Sequence, residues 1–400
     1  MKVYEFTKKE EKEDKSSPPD KKFFSAFTFI IAFILLIFGV YFIYINRYHP
    51  AIQNLLIGKL GAGVVQKPSS IPFDIEAESQ IKVYKEYIVF CSKDGLKAMN
   101  KEGQEEWSIA LTLSNPMIET TDKYILLTDK GGREVHVVTN YSIICTKKTE
   151  EPIKMAKIND KGYFAVVTEE KGYEGKVTVY NPQGLELYKW FSVENPIIDV
   201  DISPDGKRMA VCTLDVKKGK VSGGIVFFNL NEVKPYAGVV IEDTLLAGIR
   251  FYKDNDLIAV GDNQVVGFSS EGIQQWSIPF EERILQAYNM DSKDMVVIAL
   301  GRGKDGGLIG NDSSIEIINR NGQKQGSYKV DGEVKFLSVQ DDFIAFNNKR
   351  DVCIITPRGA EVASATSSKD IRDIQLFQNK REVLLVSRNS LDVLELRRKQ

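Results

Sequence analysis

With 43% hydrophobic and 27% charged side chains, the 400-residue chain carries enough apolar material for a buried core. Its formal net charge of −2 supplies no basic field to neutralise phosphates, which argues against nucleic-acid binding by the protein as a whole. Only His49 and His136 are histidines, so most histidine-based zinc sites and serine-hydrolase triads are excluded.

Residues 1–22 form a mixed-charge leader with a Ser-Pro break, expected to be a disordered cytoplasmic tail. From Phe23 to Ile45 there are 23 consecutive uncharged residues. As a helix they reach about 34 Å, enough for a hydrocarbon core of roughly 30 Å, so this run is expected to contact membrane lipid as a transmembrane helix. It is longer than the apolar part of a secretory signal peptide and runs into Tyr41, Tyr44, Arg47 and Tyr48, which suit an interface. Lys2, Lys8, Lys9, Lys12, Lys15, Lys21 and Lys22 precede the run, and lysines and arginines are sparse just after it. The positive-inside bias then makes the N-terminus cytoplasmic and the remainder extracytoplasmic, a single-pass protein of the cell membrane.

A linker is expected over 46–70. From 71 to 400 no helical period is sustained, and short β-rich runs alternate with turn clusters. One unit is plain: "PIIDVDISPDG", "KRMAVCTLD", "GGIVFFNLN" and "YAGVVIED" read as four strands, A to D. Ser203-Pro204-Asp205-Gly206 has the residues of a type I turn between A and B. Equivalent turns fall near Lys85, Asp122, Asp160, Asp205, Asn255, Lys293, Asp342 and Asn379, and their seven intervals average 42 residues. That is the period of a four-stranded propeller blade. The fold class is therefore all-β, an eight-bladed β-propeller with seven blades as the alternative, preceded by one N-terminal transmembrane α-helix. The nearly repeated phrases "NKEGQEEWSI" and "SSEGIQQWSI" put Trp107 and Trp276 169 residues apart, four periods, at equivalent places on blades one and five. The C-terminus supplies only strands A to C of blade eight, so Ile71–Ser79 is expected to close the ring as strand D beside Leu391–Leu396.

Gly103 to Trp107 and Gly272 to Trp276 resemble the Gly-x-x-x-Trp repeat of quinoprotein-like (PQQ-like) eight-bladed propellers, whose tryptophans dock between blades. By that resemblance Trp107, Trp276 and Tyr188, which follows Gly184 at the same spacing, are blade-docking residues. Gly322 to Gly326 and Gly359 to Ala363 lack the aromatic. The Ser-Pro-Asp-Gly-Lys phrase resembles the turn of WD40-like and TolB-type propellers. The whole layout is similar to that of an uncharacterised clostridial family of membrane-anchored propellers.

Candidate sites are few. Gly301-Arg302-Gly303-Lys304-Asp305-Gly306 matches GxGxxG, but a dinucleotide site needs a helix next, and "LIGNDSSIEII" leads into a strand. Asp199, Asp201, Ser203 and Asp205 are spaced like calcium ligands, yet Pro204 and Ala210 stand where an EF-hand loop needs Gly and Glu. The resemblance to quinoproteins implies adjacent cysteines over a quinone. Cys91, Cys145, Cys212 and Cys353 are far apart and read as buried thiols. His136 reads as a strand residue. No catalytic, cofactor-binding or metal-ligating set is expected.

Three B-to-C loops are longer than the rest: "TEEKGYEGK", "LDVKKGKVSGG" and "GRGKDGGLIGNDSS" in blades three, four and six. All B-to-C connections leave a propeller on one face, and Lys217, Lys218, Lys220, Arg302 and Lys304 are expected to make that face basic. The expected partner is an envelope protein or an anionic wall polymer, held by a non-catalytic scaffold. The alternative is a small-ligand sensor or quinoprotein-like enzyme using the central channel, which aspartates, tyrosines or arginines converging from several A strands on a pocket would favour.

Overall fold

The computed structural model describes residues 33–38, 41, 64–65, 69–73, 79–139, 141–217, 219–303, 312–379 and 382–397. The chain divides into two compact units, Met1–Lys59 and Leu60–Gln400. In the first, residues 33–38 and Tyr41 are helical with exposed side chains. Among the described residues no helix is long and apolar enough to cross a membrane. Most of the apolar run from Phe23 to Ile45, the tail 1–22 and most of the linker lie outside them.

The second unit is a ring of eight antiparallel sheets, which removes the seven-bladed alternative. In blades one to seven the strands pair in sequence order, A through D, and each turn placed from sequence lies between an A and a B strand. The A strands are Gln80–Tyr84, Pro116–Thr120, Ile153–Ile158, Ile197–Ile202, Leu246–Phe251, Ile284–Asn289, Val334–Gln340 and Ile371–Leu376. The middle strands are buried on both faces, as in Met295–Gly301, where every residue is buried. Such sheets cannot shield themselves singly. Eight apolar clusters accordingly form among the described residues, one at each interface between adjacent blades.

Blade eight is completed by the other end of the chain. Ser390–Arg397, its strand C, pairs with Ser69–Pro72 in the register Ser69 to Val393, Ser70 to Asp392, Ile71 to Leu391 and Pro72 to Ser390. Val64–Val65 continues the edge opposite Arg397 and Leu396. The closing strand thus begins a few residues N-terminal of the expected Ile71–Ser79 and overlaps it at Ile71 and Pro72, Ile71 pairing with Leu391 as expected, while Val64–Val65 and Ser69–Ser70 fall in the segment assigned to the linker; residues 74–78 lie outside the described residues. Pro72 has no N–H to donate; beyond it Phe73 N donates to the carbonyl of Asn389 at 3.2 Å, and the Phe73 ring meets Phe90 of blade one edge-on at 4.7 Å between ring centroids. Ile71 is buried between blades eight and one. Gly103, at φ 84°, passes so close that a Cβ there would lie 2.6 Å from Ile71 Cγ2. This contact explains the glycine in the first repeated phrase.

Two of the three expected loops are not loops. In blade four, Arg208–Lys217 and Lys220–Asn229 form a ladder paired throughout, out to Lys217 opposite Lys220. In blade three, Phe164–Glu170 and Tyr173–Tyr180 pair out to Glu170 opposite Tyr173 around Gly172, with a register shift between Thr168 and Glu170. Gly172 and Gly219 supply the positive φ that such tight turns need. The extra residues lengthen the strands, with Leu214 opposite Gly223, Asp215 opposite Ser222 and Val216 opposite Val221. Residues 304–311 of the blade-six insertion lie outside the described residues; Asp312–Asn319, the next element, is a strand and not the helix a dinucleotide site requires.

Candidate functional site

Strand A is the innermost of each blade. One edge pairs with strand B and the other faces the central channel, leaving backbone N–H groups that need acceptors. Side chains of neighbouring A strands supply them. At one level Gln80 Oε1 accepts from Ile118 N at 2.9 Å, Asp199 Oδ2 from Ile249 N at 3.0 Å and Gln286 Oε1 from Val334 N at 3.1 Å. At the next, Asp201 Oδ2 accepts from Phe251 N at 2.7 Å, Ser338 Oγ from Leu376 N at 2.9 Å and Gln375 Oε1 from Val83 N at 2.7 Å. Register shifts in the A strands of blades three to eight, such as that between Ile197 and Asp199, help aim these residues.

All eight blades line one cavity of about 530 Å³ at the A-to-B end of the channel. Burial pushes the carboxyl of Asp201 up to about 6, against the opposing charge of Arg250. Burial raises Asp199 as well, offset by Lys157. Lys157 Nζ donates to Glu119 Oε1 at 3.0 Å. Burial disfavours that ammonium, but Glu119 and Asp199 outweigh it and hold Lys157 in its charged form. Across the mouth, Lys293 of blade six reaches Asp122 of blade two at 3.1 Å, and Gln378 Nε2 donates to the other oxygen of Asp122 at 3.1 Å.

The calcium-like set has other partners. Asp199 and Asp201 cap backbone, while Asp205 accepts from Ser203 Oγ at 2.6 Å, from Lys207 N at 3.0 Å and from Asn255 Nδ2 at 3.1 Å. Among the described residues no group of three or more His, Cys, Asp and Glu is arranged to hold a metal ion. The four cysteines are buried free thiols, Cys91 and Cys353 each pushed up to about 12, chiefly by burial. His136 is buried, with Nδ1 2.9 Å from Thr146 Oγ1.

On the B-to-C face, Lys217 pairs with Asp215 at 2.7 Å and Lys220 with Asp243 at 3.8 Å. Their charge is thus largely met by nearby carboxylates. Arg302 is exposed just beyond strand Met295–Gly301 of blade six, so blade five stands between it and the blade-four hairpin. Lys218 and Lys304 lie outside the described residues.

The aromatic residues stand at blade junctions. Trp276 Nε1 donates to the carbonyl of Arg320 in the C-to-D turn of blade six at 3.1 Å, and a Cβ at Gly322 would lie 2.6 Å from its ring. Tyr188 OH donates to Val233 O of blade four at 3.0 Å. Trp107 packs against Tyr141 of blade two at 5.5 Å between ring centroids, but its buried Nε1 has no acceptor among the described residues.

Sequence reading missed Lys157, Glu119, Arg250 and Asp291 in the channel. The one available signal was a charged residue inside an otherwise apolar inner strand, as in "LAGIRF".

Comparison with solved structures supports the architecture. The C-terminal WD40 domain of Sif2 superposes with a TM-score of 0.60 at 12% identity, covering 84% of this chain and 99% of that one. BamB from Moraxella catarrhalis gives 0.51 at 14% identity, covering 84% and 99%. At such identities the likeness shows the fold alone. No curated protein sequence matches the chain. A family model does match, over residues 65–396, and the chain belongs to that family of unknown function, DUF5711.

Proposed function

We propose that the protein is a single-pass membrane protein that presents its propeller outside the cell as a non-catalytic platform, docking an envelope protein on the B-to-C face of blades three and four. The supporting observation is the blade-four hairpin, whose ten-residue strands carry Val216 near the tip at 59% exposure. Val193 on the adjoining D-to-A connection is 67% exposed, and Glu194 beside it lies within electrostatic reach of Lys217. Tyr173 at the blade-three hairpin, 44% exposed, packs against Phe191 at 5.0 Å between ring centroids with the rings tilted by 43°. Apolar residues clustered on projecting hairpins, rimmed by paired charges, suit a protein surface better than an anionic polymer. The membrane address rests on the uncharged run from Phe23 to Ile45 and the lysines before it.

Crosslinking and pull-down from detergent-solubilised membranes tests the docking face. Val193→Asp with Val216→Asp is expected to abolish recovery of the partner, and Lys217→Glu with Lys220→Glu to weaken it; an unchanged partner list for the valine variant would refute the face. Protease added to spheroplasts should digest the propeller, and full protection would reverse the orientation. A second reading, small-ligand binding in the channel, is favoured by Glu119, Lys157, Asp201 and Arg250, which come from the A strands of blades two to five to line one cavity.

A further inference from the structure

Most polar groups in the channel have assigned partners. Asp199 and Asp201 each spend an oxygen on a backbone N–H of blade five, Lys157 is paired with Glu119, and Asp291 Oδ2 accepts from Asn289 Nδ2 at 3.0 Å. Arg250 differs. It stands on Leu246–Phe251 and lines the cavity, yet among the described residues no oxygen accepts a hydrogen bond from its guanidinium and no carboxylate lies within ion-pair distance. Asp201 and Asp291 act on it at longer range, strongly enough to keep it charged against the effect of burial.

A guanidinium offers five N–H donors in a planar fork that matches a carboxylate. Here it faces a space within the range of small-molecule sites. The surrounding charge restricts what can enter. The cavity lining holds seven acidic side chains against five basic ones, Lys82, Lys253 and Lys293 joining Lys157 and Arg250, so a simple anion meets net repulsion. A simple cation leaves the fork unused and meets Arg250 itself. A molecule carrying both charges satisfies both sides. We propose that the channel binds a free α-amino acid, with its carboxylate on Arg250 and its ammonium toward Asp291 and Asp201. Access is through the mouth closed by Lys293 and Asp122, whose side chains are 63% and 53% exposed. Exposed pairs of this kind contribute little and open readily.

The test uses the full chain purified in mild detergent. Each proteinogenic amino acid is screened by thermal shift, and the best is titrated calorimetrically beside its decarboxylated and deaminated analogues. Saturable binding is expected, weakened at least about tenfold by loss of either charged group or by Arg250→Met. Asp291→Asn, a change at an exposed side chain that leaves the fork in place, should weaken the amino acid but not the deaminated analogue. Val216→Asp should leave the affinity unaltered, which separates this site from the docking face. The proposal is overturned if no amino acid binds at millimolar concentration, if an analogue lacking one charge binds as tightly, or if folded Arg250→Met binds as the natural chain does.

Discussion

Trp107 and Trp276 occupy equivalent positions but meet different surroundings. The indole of Trp276 donates to a carbonyl of the next blade, whereas the buried Nε1 of Trp107 has no acceptor among the described residues. Replacing each by phenylalanine removes similar volume but only one hydrogen bond. Trp276→Phe should therefore destabilise the protein by about 1 kcal/mol more than Trp107→Phe, read from urea unfolding midpoints. Equal losses would show that the Arg320 contact contributes nothing. Asp201 provides a pH-dependent counterpart. Its folded-state value of about 6 lies above the ordinary 3.8, so the folded state holds the proton more tightly and ionisation destabilises it as pH rises between those values. Asp201→Asn keeps an acceptor for Phe251 N and cannot ionise. Relative to the natural chain, its melting temperature should rise between pH 4 and 7; a pH-independent difference would contradict the burial argument. His136 works the other way, because burial lowers its value below the ordinary 6.5 and the stability held with the ring neutral is lost as pH falls.

The closing strand is where sequence reading and structure can be compared most closely. Its existence followed from a missing fourth strand, but its position did not, because "VV" and "SSIP" are too short to show a period and their partner is over 300 residues away. The A-to-B turns were readable because Pro, Asp and Gly at fixed offsets act locally. The blade-four hairpin was mistaken for a loop because Lys and Gly mask the alternation of Val216 and Val221. Arg250 stood out as a charge in an apolar strand, but its place in the channel was unreadable for a different reason: which inner-strand residues face the channel depends on bulges and on caps from strands about fifty residues away. The strand's importance is measurable. A chain beginning at Leu60 should melt cooperatively, whereas one beginning at Ser79 leaves Leu391 and Val393 uncovered and should bind a hydrophobic dye and aggregate. Cooperative melting of the shorter chain would show that blade eight is stable with three strands.

Taken whole, the unit Leu60–Gln400 is a ring with two differently built ends. The hairpins of blades three and four project at the B-to-C end. The cavity opens at the other, where Val64 lies opposite Arg397 at the finish of strand C and the chain enters the closing edge. Because every blade packs on two neighbours, neither end is stable unless the ring is sealed. The direct test of the seal is a disulfide between Ile71→Cys and Leu391→Cys, which face each other in the register of blade eight. After mild oxidation of the folded protein at low concentration, non-reducing electrophoresis and peptide mass spectrometry should find one intramolecular bridge joining the two ends, with unfolding shifted to higher urea. Failure to form it, or bridges only between separate chains, would contradict closure of the ring by its own N-terminal strand.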